Sequence, residues 1–78
     1  MVRISAIYEK DNKTPKESHQ FRVGREGSIF HLSEGRPMIL EYSNTGGYLH
    51  TSTVEQIDED DNGLWITTRN TVYVLDKI

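Results

Sequence analysis

Seventy-eight residues, 35% of them hydrophobic and 27% charged, with a net charge of −3, describe one small folded domain and not a disordered chain. A chain of this length buries only about 60% of the surface it exposes when unfolded, so its core is small. With no cysteine there is neither a disulfide framework nor a thiolate zinc site, and no run approaches the roughly 20 apolar residues of a membrane-spanning helix.

The start, MVRISAIYEK, has no long apolar run and no cleavage site. No signal peptide is expected, and the chain reads as a cytoplasmic protein with no membrane partner. Helical periodicity is weak throughout, whereas two-residue alternation recurs. VRISAIYE sets Val2, Ile4, Ala6 and Tyr8 on one face of a first strand. DNKTPK is loop by composition. HQFRVG alternates His19, Phe21 and Val23 against Gln20 and Arg22, which predicts a second strand. Gly24 and Gly27 then bracket a charged turn, and SIFHL forms a short strand. Pro37 lacks an N–H and holds Arg36 extended, so SEGRP breaks the chain before MILEY, a compact apolar strand.

SNTGG is a turn of residues that tolerate positive φ. YLHTSTVEQI is long and β-branched, but its alternation slips between Leu49 and Val54 and again before Ile57, which predicts a bulge or bend. LWITTR and TVYVLDKI are joined tightly through Arg69 and Asn70, with Asn70 suited to left-handed geometry. About six or seven short strands, punctuated by turns, point to an all-β domain: a small antiparallel barrel or two packed sheets. The open edges of such a sheet are sealed by closure or by a second copy of the chain.

Asp58-Glu59-Asp60-Asp61-Asn62-Gly63 matches the first half of a calcium-binding loop. The position that should supply the bidentate Glu is Arg69, and both flanks read as strands. Asn62-Gly63 between alternating runs is a hairpin signal, since both residues accept positive φ, so a turn and no metal site is expected here. His19, His31 and His50 fall on three predicted strands without the close pairing that zinc ligands show. No nucleophile elbow or phosphate-cradling glycine loop is present, so no catalytic residues and no cofactor are expected.

Residues 1–36 hold seven Lys/Arg against five Asp/Glu, and residues 37–78 hold two against seven. The basic half offers Arg22, Arg25, Phe30, His31 and Arg36, with Lys13 and Lys16, as an alternative nucleic-acid surface. Glu17, Glu26 and Glu34 interrupt it, and the overall acidity argues against it. LWITTRNTVYVL is apolar on both predicted faces. That makes Trp65 and Tyr73, with Tyr48 and Tyr42, candidate interface anchors, and Arg22, Arg25 and Arg36 candidate rim charges.

Arg22, Gly24, Gly27, Thr51, Ser52, Val54, Thr68, Asn70, Thr71 and Tyr73 form an R-x-G-x-x-G start, a Thr-Ser-x-Val strand and a final Thr-x-Asn-Thr-x-Tyr stretch. Across about residues 20–76 this pattern resembles small uncharacterised proteins of bacterial phages and mobile elements. The resemblance implies an SH3-like barrel and brings no established activity. The expectation is therefore a single SH3-like antiparallel barrel over residues 1–78 of about six strands. Its expected role is that of a non-catalytic interaction module, a regulator or inhibitor that binds a protein partner or pairs with itself as a homodimer. Nucleic-acid binding and small-ligand binding are the alternatives.

Overall fold

All residues from Met1 to Ile78 are described by the structure, a computed structural model. Six strands follow one another: β1 (Val2–Tyr8), β2 (Glu26–His31), β3 (Pro37–Tyr42), β4 (Tyr48–Glu59), β5 (Gly63–Thr68) and β6 (Val72–Lys77). Each pairs antiparallel with the next, and β6 pairs back onto β1, so the sheet closes into a barrel with no free edge. The expected small antiparallel barrel is the fold. No helix is long and apolar enough to cross a membrane.

The core follows from alternation. Val2, Ile4, Ile7, Met38, Leu40, Tyr42, Leu49, Val54, Leu64, Ile66, Tyr73 and Leu75 form one buried cluster inside the barrel. In β4, burial moves from Leu49 and Thr51 to Val54, and the pairing with β5 shifts between Val54 and Gln56. This is the bend that the slipping alternation predicts, and it lets one long strand serve both sides of the barrel. Gly27 and Gly63 lie where strands approach closely. A β-carbon at Gly27 would collide with the Glu41 carbonyl, and one at Gly63 with the Leu75 carbonyl.

Three local expectations are corrected. HQFRVG is not a strand: Glu17–Arg22 is a 3-10 helix, with the Gln20 side-chain amide donating to the carbonyls of Ile7 and Lys16. The Ile7 carbonyl near the end of β1 thus accepts from the Gln20 side chain as well as from the Lys16 N–H. Asn70 does not carry positive φ. Instead the Thr68 hydroxyl donates to the Thr71 carbonyl and accepts from the Thr71 N–H, closing the turn through a side chain.

The Asp60 tip is a turn, but Asn62 and Gly63 do not build it with positive φ. Asp60 Oδ1 accepts from the N–H groups of Asn62 and Gly63 at 2.8 and 2.9 Å. Those two bonds hold its carboxyl below the usual carboxylate range. Lys77 closes the same tip, its Nζ donating to Glu59 Oε2 and to the Asp60 carbonyl, each at 2.7 Å.

Candidate functional site: the outer aromatic faces

The sequence groups Trp65, Tyr73, Tyr48 and Tyr42 as one set of anchors, and the barrel divides them. Tyr73 is 3% exposed and Tyr42 9%, and both belong to the core. Tyr73 pairs with Ile66 across β5 and β6, so it must share the inward face of Ile66. Burial raises its phenol above the ordinary value, and nearby Arg22 acts in the opposite direction. Tyr73 is therefore no surface anchor. Its correct placement was available from the length of the turn: two residues between Thr68 and Thr71 set Ile66 opposite Tyr73.

Trp65 does face out, 40% exposed. It lies opposite Val74, which in turn lies opposite Ala6. The indole stacks on Tyr8, with centroids 5.8 Å apart and planes 22° from parallel. Strands β5, β6 and β1 thus carry an aromatic pair closed on itself.

The other outward aromatic group lies on β2, β3 and β4. Phe30 is 70% exposed and Tyr48 51%. Their centroids are 6.2 Å apart with the planes at 79°, and Tyr48 meets His50 at 6.3 Å and 77°. Ile39, paired with His50, forms the floor between them. Phe30, Ile39, Tyr48 and His50 line a shallow hollow of about 230 Å³. Phe30 points outward at a place where β2 slips against β3, between the pairs Ile29–Leu40 and His31–Ile39. Of the four, only Tyr48 was a predicted anchor. Phe30 entered the sequence reading solely as part of the basic surface, and Ile39 and His50 were not singled out for this role.

The arginines do not rim a shared patch. The Arg22 guanidinium lies over its neighbour Phe21, 4.7 Å from the ring centroid, and Arg25 lies over Tyr42 at 4.1 Å. Arg25 also donates to Thr45 Oγ1 at 3.1 Å, beside a hollow of about 300 Å³ lined by Gly24, Arg25, Glu26, Tyr42, Asn44 and Thr45. Arg36 is exposed in the connection between β2 and β3. Lys16 Nζ is occupied by the Asn70 carbonyl and the Thr71 hydroxyl, at 3.0 and 2.7 Å.

His19 Nδ1 meets the Ser18 hydroxyl at 2.8 Å, and His31 Nε2 meets Ser33 Oγ at 3.3 Å. Burial, with Arg22 and Lys16 adding to it, holds the His19 imidazole below its ordinary value. No three His, Asp or Glu side chains come together in a metal-holding group.

Comparison with protein-family models, with curated proteins and with solved structures finds no match to this chain. The reading of the site therefore stands on its geometry.

Proposed function

We propose that this barrel is a non-catalytic interaction module that docks a partner protein on the outer face of β2, β3 and β4. The observation that carries this reading is the Phe30, Tyr48 and His50 group, whose rings stand out from a closed sheet around an apolar floor. Large aromatic area left open on a small domain is the chemistry of interface anchors. Thr51, Thr68 and Thr71 spend their hydroxyls on the strand and turn framework. A regulator or inhibitor of a host factor is the biological setting we propose, on a motif resemblance to small phage and mobile-element proteins that itself brings no established activity.

The test is site-specific photo-cross-linking in the source cells, with a benzophenone amino acid at position 30 or, as control, at position 65. A discrete adduct from position 30 that disappears in the Tyr48→Ala background is the expected result. Equal adducts from both positions, or none from position 30, overturn the docking face. Sedimentation of the purified chain separates a foreign partner from a homodimer. A mobility-shift assay at two salt concentrations checks the nucleic-acid alternative, since phosphate contacts weaken steeply with salt.

A further inference from the structure

We infer that the hollow between Phe30, Tyr48 and His50 receives a cationic side chain, Lys or Arg, of the partner; this rests on the docking face of β2, β3 and β4. The first ground is a contrast within the molecule. Arg22 and Arg25 already lie over the rings of Phe21 and Tyr42. The rings of Phe30 and Tyr48 carry the same negative π-faces with no guanidinium over them.

The second ground is charge. Glu41 lies directly opposite Tyr48 in the β3–β4 register, on the same outward face. It enters none of the ion pairs of the molecule, which join Arg3 to Glu26 and Asp76, Lys10 to Glu55 and Lys77 to Glu59. Phe30, Ile39, Tyr48 and His50 line the hollow with no Lys or Arg among them.

The third ground is shape. Tyr48 stands nearly perpendicular to both Phe30 and His50, at 79° and 77°. Rings set at right angles about an apolar floor offer a cation more than one π-face and accommodate the methylene stem of a long side chain. A nucleic acid would need phosphate-binding cations beside the rings, and the residue beside Tyr48 is Glu41.

The experiment uses the full chain and three blocked tripeptides, Gly-Arg-Gly, Gly-Lys-Gly and Gly-norleucine-Gly, titrated while backbone amide signals are followed by NMR. The arginine and lysine peptides are expected to shift Phe30, Ile39, Tyr48 and His50 and to bind about two- to fivefold more tightly than norleucine, the increment of an exposed cation–π contact. Glu41→Gln and Tyr48→Leu, both at exposed positions, are each expected to remove most of that preference, with melting curves confirming the fold. Norleucine binding as tightly as the cations, or cation-induced shifts confined to the acidic tip at residues 58–61, overturns the inference. If the cation preference fails while Tyr48→Ala still abolishes the position-30 adduct, the docking face stands and only its cation selectivity falls. If both fail, the face itself is lost.

Discussion

On the β5–β6–β1 side of the barrel, Trp65 and Tyr8 stack nearly parallel over β6, 5.8 Å apart. On the β2–β3–β4 side, Phe30, Tyr48 and His50 meet edge-on around an open hollow. The closed strand order places β3 three strands from β6 in either direction, so the two groups lie on opposite sides. Both consist of aromatics facing outward from a sheet, yet their rings are arranged differently. Stacking turns one face of each ring toward its mate, so part of the apolar surface of the Trp65 pair is used within the molecule, although Trp65 stays 40% exposed. The edge-on group leaves ring faces open to solvent. On the proposed reading, the stacked pair supports the fold and the edge-on group is the docking surface.

Substitution breaks this comparison most sharply on the open side. Tyr48→Ala is expected to weaken partner binding by about thirtyfold or more, roughly 2 kcal/mol, as a central anchor does. Its melting curve should move little, since surface positions away from packed features usually stay within about 0.5 kcal/mol. A binding titration beside a denaturant melt checks both halves. A large loss of stability with binding unchanged would reverse the roles given to the two faces.

The mirror experiment is Trp65→Ala. The expected loss is about 1.5 kcal/mol of folding stability, from the burial and stacking of a half-exposed aromatic, with partner binding retained. In a domain of this size a loss of about 1 kcal/mol lowers Tm by several degrees, which a thermal melt resolves. A double-mutant cycle with Tyr8→Leu sharpens the point. The Tyr8–Trp65 coupling should be about 0.5–1.5 kcal/mol, whereas cycles joining Trp65 to Tyr48 should be additive within about 0.5 kcal/mol.

How legible this was from sequence differs between the two faces for a physical reason. Strand alternation grouped Val2 with Ile4 and Leu64 with Ile66 and announced the bend in β4, because each is a local pattern of period two, but it failed in β1 beyond Ile4, where the register shifts and Ile7 is buried in place of Ala6 and Tyr8. The pairing of Trp65 with Tyr8 joins residues from the two ends of the chain and requires barrel closure, which no local pattern encodes. The hollow demands more still. Phe30 comes to face Ile39 and Tyr48 only after β2 slips against β3, and a one-residue slip reverses the side to which a residue points. The 3-10 helix escaped notice because His19, Phe21 and Val23 alternate as a strand does. The bonds from Gln20 to Ile7 and Lys16, not propensity, decide that segment. The motif residues Thr68, Asn70 and Thr71 serve the framework: their turn is closed by Thr68 and tied by Lys10 and Lys16.

The smallest expected effect begins on neither face and reports on the closed one. The Asp11 carboxylate accepts from the Thr14 hydroxyl at 2.6 Å and from the N–H groups of Lys13 and Thr14, each at 2.9 Å. The Thr14 hydroxyl, followed by the two N–H groups, lowers its pKa from the ordinary 3.8 to about 2. A carboxyl depressed in the folded state contributes stability above its unfolded value, and that contribution is lost as pH falls from 3.8 through about 2. The loop it holds returns to β1 where Pro15 bridges Tyr8, the residue beneath Trp65. Trp65 is the single tryptophan, so its fluorescence reports on that contact as well as on the carboxylates beside it, Asp58 opposite it and Asp60 in the same hollow, and the comparison with Asp11→Ala separates the two. Acidification across this window should change the fluorescence slightly before global unfolding, and Asp11→Ala should remove that step. NMR of the Asp11 carboxyl carbon should give a midpoint near 2. A midpoint at the ordinary value, or a fluorescence step that persists in Asp11→Ala, would mean that the stacked pair is held by its own strands alone, without help from the loop beside it.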